Sequence, residues 1–482
     1  MRAPRILSVA PRYRPGVDGA QGGHYTIYQD DLRAAAGRLG LDMVVLTDRA
    51  TATGARVEGV AQAEGVEAVL DTRDATSLAR SAAAAARPQD LVMVYEGSRA
   101  LVEAFVPVAA ARPDVRFVVN LFRPEPGLAP EPVPRRGVRR PPVSRVEAVE
   151  PFTVELPENL VVAAETDARV ALAQRLGIPC AGAWRLHTTL WDVEVDPVPT
   201  GPQDRDGGPV GRALRVLVPL ADRGYSADLA RDLATVLHLL RHHPEGRRVR
   251  LTLTAAGSAK FSARIRGPRL EALGAVRVAS PAGRQDYAAL FASHDVIWIP
   301  NADFYRSQSS GKALDALAVG RPVMAPSGTW PAAEASRWTG EQLTYRDASE
   351  AARLLLGLLG HAAELHRRLA DASDRIRAAY APESTLLRVL ELAGATLPNG
   401  AGADHPAPEP LPRIAPRDAR GAWAVDSGVA WQASWGRVLT ARAVGRRAAR
   451  IGWWARAERR LRRRLARVRT RGRPPQSAAG EP

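Results

Sequence analysis

The sequence predicts an α/β protein built from two Rossmann-like, doubly wound domains that face each other across a cleft, followed by a basic helical tail at the C-terminus. Short apolar runs alternate with helical patterns in two separate series, and a stretch dense in Pro, Gly and Asp divides them at residues 196–212. A chain of 482 residues is also longer than one hydrophobic core usually covers. We therefore expect two domains joined by a linker.

The first series predicts an N-terminal domain over residues 1–195. Its apolar runs are short and continuous, which is typical of strands that are buried on both faces of a parallel sheet. The predicted strands are Ile6–Ala10, Asp42–Leu46, Leu91–Tyr95, Phe117–Leu121 and Leu160–Ala164. Helical periodicity fills the intervals at Tyr25–Leu39, Ser77–Arg87, Arg99–Ala111 and Thr166–Leu176.

The second series predicts a C-terminal domain over residues 213–395 with the same alternation. Its predicted strands are Leu214–Pro219, Val249–Thr254, Ala275–Ala279, Val296–Pro300 and Pro322–Ala325. Its predicted helices are Ala227–His242, Arg284–Ala292 and Gly311–Ala318, and helical segments at Ala348–Tyr380 and Glu383–Ala393 close the folded body. Two similar halves thus follow each other along the chain.

The last part of the chain differs in composition. Residues 396–430 are rich in Pro and Ala without periodicity, which predicts a flexible tether. Residues 437–473 hold fifteen Arg and one Glu, so this segment carries +14 of the formal net charge of +16. Apolar residues recur among the arginines of residues 431–482, and Trp453 and Trp454 lie beside them. The pattern predicts a basic amphipathic helix that binds an anionic membrane surface, with nucleic acid, an acidic protein partner or a disordered tail as alternatives.

Composition excludes several other classes of protein. The first residues contain no apolar region of signal-peptide length, and no apolar run is long enough to span a membrane, so we expect a cytoplasmic protein. Cys180 is the single cysteine, which excludes an internal disulfide and predicts a buried, inert thiol. The body of the chain is nearly neutral, so its cleft is not expected to bind nucleic acid.

A glycine-rich segment follows the first predicted strand. Gly22, Gly23 and His24 stand just before the helix expected to begin near Tyr25, where glycine lets a ligand approach backbone amides. The spacing is not that of a dinucleotide-binding fingerprint, and an ordinary strand-to-helix turn explains the segment equally well. His24 is a candidate to orient or deprotonate an acceptor hydroxyl; the alternative is a structural histidine.

The segment from Gln285 to Trp330 carries the clearest site pattern. Ser309, Ser310 and Gly311 precede a predicted helix, so they offer hydroxyls and free amides to a diphosphate. Asp315 lies one turn inside that helix and is a candidate to accept hydrogen bonds from ribose hydroxyls. Arg306 is placed to neutralise phosphate charge. The alternative is ordinary helix capping by the two serines.

Here the chain resembles the retaining glycosyltransferases of family 4, also called the glycosyl transferases group 1. The resemblance rests on Asp-Tyr-Ala-Ala-Leu at 286–290, on Asp-Val-Ile-Trp-Ile-Pro at 295–300, and on Ser-Gly-x-x-x-Asp-Ala-Leu-Ala-x-Gly-x-Pro-Val at 310–323. The opening strand with Pro11-Arg12-Tyr13 and Gly22-Gly23 is similar to the amino-terminal signature of that family. The resemblance spans residues 5–395. It implies a glycosyltransferase B fold, a nucleoside-diphosphate sugar donor and transfer with retention at the anomeric carbon.

The chain departs from that family at several site positions. The family places two glutamates eight positions apart where this chain has Ser307 and Asp315, so one carboxylate that usually meets the donor sugar is missing. Arg223 stands where a lysine is common in the family, and its companion arginine has no counterpart near Val218. Lys260 is the candidate to supply the missing charge. Lys260 and Lys312 are the two lysines among 67 Lys and Arg residues, which suggests that a compact ammonium is needed at both; chance survival at surface sites is the alternative.

The sequence therefore predicts a glycosyltransferase that moves a sugar from a nucleoside-diphosphate sugar to a carbohydrate or lipid-linked acceptor. No motif requires a metal ion, and no cofactor besides the nucleotide-sugar substrate is expected. Two alternatives stay open. The chain is a non-catalytic, membrane-tethered binding or scaffold protein if Ser307 abolishes catalysis, or it is a sugar-nucleotide epimerase on the same fold.

Overall fold

A computed structural model describes residues 5–13, 19–48, 65–122, 152–193, 213–219, 227–254, 274–278, 281, 283–301, 305 and 307–395. The chain divides into two units, Met1–Pro416 and Arg417–Pro482, and all described residues belong to the first. The predicted linker at 196–212, the tether and the basic tail lie outside the described residues. In the part that is described, no helix is long and apolar enough to cross a membrane.

The described part of the first half forms a parallel sheet with the order β3-β2-β1-β4-β5-β6-β7. Its strands are β1 Ile6–Val9, β2 Met43–Asp48, β3 Val66–Leu70, β4 Leu91–Gly97, β5 Arg116–Leu121, β6 Leu160–Ala164 and β7 Cys180–Ala183. Its helices are α1 Gly19–Arg38, α2 Ala75–Ala85, α3 Arg99–Ala111 and α4 Asp167–Arg175. This strand order is the doubly wound one, with its switch point between β1 and β4.

The second half repeats the arrangement in the order β10-β9-β8-β11-β12-β13, again with parallel pairing. Its strands are β8 Leu214–Val218, β9 Val249–Thr254, β10 Val276–Val278, β11 Val296–Trp298, β12 Val323–Pro326 and β13 Thr344–Tyr345. Its helices are α5 Ala227–Arg241, α6 Arg284–Ala292, α7 Gly311–Ala318, α8 Trp330–Thr339, α9 Ala348–Leu358, α10 Ala362–Ala379 and α11 Pro382–Leu392, with a 3₁₀ turn at Pro244–Arg248. The switch point of this sheet lies between β8 and β11.

These sheets confirm the predicted fold class, but some elements differ from the prediction. Helix α1 begins at Gly19, six residues before the predicted start. The predicted helical segment at 348–380 is two helices, α9 and α10, with a break at residues 359–361. Strands β3, β7 and β13 and helix α8 were not predicted.

Alternate residues of the first sheet point into two different cores. Ile6, Val45 and Met93 belong to a buried cluster that also contains Leu217 and Leu314 of the second half. Their chain neighbours, such as Leu7, belong to a separate cluster on the opposite face. A continuous strand run buries both faces, as expected for parallel sheets under helices. One face of the first sheet therefore shares its core with the second half.

The last described helix ties the chain back to the first half. Helix α11 packs against α1, and Glu383 at its start pairs with Arg38. Farther along α11, Arg388 Nε donates to the carbonyl of Ala183 at 3.2 Å. Cys180 on β7 is buried, which confirms the predicted burial of this cysteine, and burial raises the pKa of its thiol to about 11.

Candidate functional site

A lysine side chain lies at the carboxyl end of β8, at the switch point of the second sheet. Lys312 lies in the first turn of α7, and its Nζ donates to the carbonyl oxygen of Pro219 at 2.6 Å. Pro219 directly follows β8, so the ammonium group is held at the carboxyl end of this strand. Open α/β sheets bind ligands in the crevice at this place. The sequence singled out Lys312 for its rarity, and the structure places it at the switch point.

The amino terminus of α7 is capped in the ordinary way. Ser310 has extended backbone angles and its hydroxyl accepts from the amide of Ala313 at 3.3 Å, so the capping interpretation of this serine is confirmed. The next residue is a glycine for a steric reason. A Cβ on Gly311 would overlap the hydroxyl of Tyr28, which comes from α1 of the first half.

The loop before α7 is covered by the first half. Thr166 Oγ1 donates to the carbonyl oxygen of Ser307 at 2.5 Å, and Glu165 Oε2 accepts from the amide of Ser309 at 3.3 Å. Each residue from 307 to 310 is at most 9% exposed. The backbone amide of Ser309 is therefore bound to a carboxyl group of the chain itself.

Glu165 is the ionisable group that faces this loop. It is 3% exposed, and burial raises the pKa of its carboxyl to about 8, against the opposing effect of the nearby Arg169 guanidinium. Burial thus favours the protonated form of this carboxyl group. Its Oε1 atom is buried and makes no hydrogen bond.

Asp315 joins the two halves instead of facing the crevice. Its side chain is fully buried, and Oδ1 accepts from Thr188 Oγ1 at 2.7 Å and from the Thr189 amide and hydroxyl at 2.8 and 3.0 Å. Oδ2 accepts from the Tyr287 hydroxyl at 3.2 Å, and burial together with the Asp315 charge raises the pKa of Tyr287 well above its usual value. A ribose could reach this carboxylate only by exchanging these bonds, so the predicted ribose contact stays a prediction.

A second polar cluster crosses between the halves beside α6. Arg284 bridges Asp31 at 3.2 Å and Asp192 at 2.9 Å. His187 Nε2 lies 3.7 Å from the other Asp31 oxygen, and burial lowers the pKa of this histidine, so its ring is neutral at pH 7. The indole of Trp191 lies under the guanidinium groups of Arg38 and Arg284.

The structure brings together some of the predicted site residues. Ser309, Ser310, Gly311 and Asp315 lie on one loop and helix against the first half. Arg223, Lys260 and Arg306 lie outside the described residues, so their roles stay predictions.

The glycine-rich turn is not where the sequence placed it. Gly22, Gly23 and His24 lie inside α1, because this helix begins at Gly19. Most of their backbone amides can therefore donate to carbonyl oxygens of the helix itself, and they are not exposed to a ligand in a turn. The described structure does not extend to the His24 side chain, and its proposed role with an acceptor stays a prediction.

The sequence reasoning missed Glu165, Thr166 and Tyr28. A signal was available for the first two, because they directly follow the correctly predicted strand β6, and ligands of doubly wound sheets bind at the carboxyl ends of strands. Among the residues described, no group of three or more His, Cys, Asp and Glu side chains lies together as a metal site would require.

Comparison with known protein families and with curated proteins finds no match. Solved structures do match. The UDP-forming α,α-trehalose-phosphate synthase of Burkholderia vietnamiensis is 16% identical with a TM-score of 0.52, and the sucrose-phosphate synthase of Thermosynechococcus elongatus is 16% identical with a TM-score of 0.54. Each match covers 81% of this chain and 98% of the other.

The Anabaena protein HepE, solved in complex with UDP and glucose, is 12% identical with a TM-score of 0.51, over 81% of this chain and all of the other. At such low identity these matches show the fold. The fold is the glycosyltransferase B fold, in which two doubly wound halves flank a cleft, as the sequence resemblance implied.

Proposed function

We propose that this chain is a glycosyltransferase that moves a sugar from a nucleoside-diphosphate sugar to an acceptor hydroxyl, with retention at the anomeric carbon. The observation that carries the proposal is the position of Lys312. Its ammonium and the positive end of α7 meet at the switch point of the second sheet. A diphosphate is the ligand class that this combination of charges favours.

The fold supports the same substrate class. Among the matched structures, one is a UDP-forming synthase and one was solved in complex with UDP and glucose. We extend this donor class to the present chain. The resemblance to family 4 in residues 285–330 agrees with it and adds the expectation of retention. The acceptor is proposed to be a carbohydrate or a lipid-linked hydroxyl in glycan or glycolipid synthesis.

The proposed reaction breaks the bond between the anomeric carbon and the diphosphate oxygen, and the electron pair leaves with the nucleoside diphosphate. A new bond forms from the acceptor oxygen to the anomeric carbon, and the hydroxyl proton passes to the leaving phosphate oxygen. The chain must stabilise the negative charge that develops on the diphosphate. Lys312 does this in our proposal, together with Arg223, Lys260 and Arg306 from the segments predicted to flank the crevice.

A second candidate function follows from position 307. Serine cannot supply the carboxylate that family 4 places there, and the carboxylate of Asp315 is engaged by Thr188, Thr189 and Tyr287. A nucleotide-sugar-binding protein without transferase activity would show this combination. A radiolabelled donor distinguishes the two, because only an enzyme releases free nucleoside diphosphate and labelled product.

Ligand binding tests the proposal directly. We expect UDP, GDP or ADP to raise the melting temperature of the full chain, and Lys312→Gln to weaken the binding of that nucleotide by about tenfold or more, because a charge-assisted bond to phosphate is lost.

Arg367→Gln is the matched control. This cation lies on α10 with a side chain that is 73% exposed, so its loss should leave nucleotide binding unchanged. If none of the three nucleotides stabilises the wild-type chain, the proposed function is wrong. Equal weakening by both variants would show that Lys312 acts only through the overall charge.

A further inference from the structure

The end of β6 places two residues against the loop before α7. Thr166 caps α4, where its hydroxyl accepts from the Arg169 amide at 3.1 Å, and the same hydroxyl donates to the carbonyl oxygen of Ser307. Glu165 is therefore fixed by a strand on one side and by a helix cap on the other. Its carboxyl group meets the loop two residues beyond Ser307, at the amide of Ser309.

Two side-chain oxygens at this contact are buried and make no hydrogen bond. They are Glu165 Oε1 and Gln308 Oε1. Buried polar atoms without partners are uncommon in folded proteins, because each loses its bonds to water and gains none in return. Two on one contact indicate a patch that a polar ligand completes.

The chemistry of these atoms selects among the parts of a nucleotide sugar. The amide oxygen of Gln308 only accepts hydrogen bonds, whereas a protonated carboxyl group both accepts and donates. Phosphate oxygens carry no hydrogens at neutral pH, so they cannot donate to Gln308 Oε1. Sugar hydroxyls both donate and accept, so this patch suits a sugar ring better than it suits the diphosphate. The diphosphate has its own cation, Lys312, in the first turn of the same helix.

We propose that Glu165 supplies, from the first half, the sugar-contacting carboxyl group that Ser307 does not provide in the second. This inference rests on the proposed function, because it assigns the contacts of the donor sugar. Gln308 and Ser309 complete the same subsite with one acceptor and one hydroxyl. Ser307 then leaves donor recognition intact, since the carboxyl group arrives from the opposite wall of the contact.

The test compares two affinities within each variant. Calorimetry on the full chain measures the Kd of UDP, GDP and ADP and the Kd of UDP-glucose, GDP-mannose and ADP-glucose. The Kd of the nucleoside diphosphate divided by the Kd of the matching nucleotide sugar gives a ratio that isolates the contribution of the sugar. In Glu165→Ala we expect this ratio to fall by about tenfold, equivalent to about 1.4 kcal/mol, while the affinity for the nucleoside diphosphate stays within about threefold.

Glu165→Gln keeps the shape of the side chain and guards against a folding defect. It should show a smaller fall in the ratio, about threefold, because the amide retains one acceptor oxygen. Glu334→Gln is the matched control. Glu334 is also a buried glutamate, but it accepts from Trp338 and Tyr380 away from the loop, so its ratio should equal that of the wild type.

The results separate this inference from the proposed function. An unchanged ratio in both Glu165 variants, with nucleotide sugars still bound, overturns the role of Glu165 and leaves the proposed function standing. Equal loss of nucleoside diphosphate and nucleotide sugar also overturns it, because the carboxyl group would then support the whole loop. A wild-type chain that binds none of the six compounds overturns both.

Discussion

At the scale of single residues, Asp315 explains why a carboxylate stands in an otherwise apolar helix. All residues of α7 from Ala313 to Ala318 are buried, and Asp315 alone among them is charged. Its carboxylate receives bonds from Thr188 and Thr189 across the contact between the halves. A buried charge of this kind is tolerated because hydrogen bonds replace its hydration.

We predict that Asp315→Asn lowers the free energy of unfolding by about 2–3 kcal/mol. The hydrogen bonds to a buried charge become weaker, and the new side-chain NH₂ group faces one of the hydrogen-bond donors that Asp315 accepts from. Urea unfolding measures the change. Asp374→Asn is the control, since this side chain is 85% exposed and should shift stability by no more than about 0.5 kcal/mol. Equal stability of the Asp315 variant and the wild type would mean that these bonds do not hold the halves together.

Glu165 gives a prediction for pH. Its ordinary pKa is near 4.5 and burial raises the folded-state pKa to about 8, so the folded chain keeps a proton that the unfolded chain releases. Stability from this group is therefore present at low pH and is lost as the pH rises from about 4.5 to about 8. The expected slope is on the order of 1 kcal/mol per pH unit.

Glu165→Gln cannot ionise and should remove this dependence. The melting temperatures of variant and wild type should agree at about pH 4, below the unfolded-state pKa, and the variant should be the more stable of the two at about pH 8. The difference between the two curves cancels other titrating groups, such as His187. A constant difference across this range would show that the folded-state pKa of Glu165 is not raised.

At the scale of elements, the start of α7 depends on how closely α1 approaches it. Gly311 leaves no room for a Cβ beside the Tyr28 hydroxyl, whereas the Tyr28 Cζ atom would be at 3.7 Å, an ordinary contact. We predict that Gly311→Ala lowers the free energy of unfolding by about 1–3 kcal/mol through this overlap.

Removing the hydroxyl oxygen should make room for the methyl group. In a Tyr28→Phe background, we expect Gly311→Ala to cost less than about 0.5 kcal/mol, as measured by a double-mutant cycle in urea. If the cost is the same in both backgrounds, the effect comes from the backbone of α7 and not from its contact with α1.

The elements that sequence predicted well share a simple physical basis. Helices α3, α6 and α7 and strands β6 and β9 have the predicted bounds. Periodicity defines them, and clear caps at Ser98 and Ser310 mark the starts of α3 and α7. The missed strands were weak signals. β13 has two residues, and β7 reads Cys-Ala-Gly-Ala, which lacks the branched side chains that favour strands. Hydrogen bonding to a neighbouring strand, more than local propensity, determines whether such short segments form strands.

Helix α1 begins earlier than the sequence predicted. The sequence placed a turn at Gly22 and Gly23 because glycine is a poor helix former. The structure continues the helix through both, and its later turns bury Tyr28, Leu32 and Ala36 in the core shared by the two halves. Tertiary packing outweighs local propensity in such a case.

At the scale of the whole molecule, the basic tail carries its own prediction. The fifteen arginines of residues 437–473 should bring the full chain to vesicles that contain anionic lipid and not to zwitterionic ones. Co-sedimentation measures this, and 0.5 M salt should reduce the bound fraction, as expected when charge attraction supplies much of the affinity. Binding to both kinds of vesicle, independent of salt, would contradict an electrostatic role for the tail.

The sequence by itself determined most of the order of strands and helices, the two doubly wound sheets, the loop at Ser309 and Ser310, and the concentration of charge in the tail. These features depend on residues close together in the chain. Only the tertiary structure decided that Asp315 bonds to Thr188, that Tyr28 covers Gly311 and that Glu165 reaches the loop near Ser307. Each of these contacts joins residues more than a hundred positions apart, and packing of one half on the other sets them.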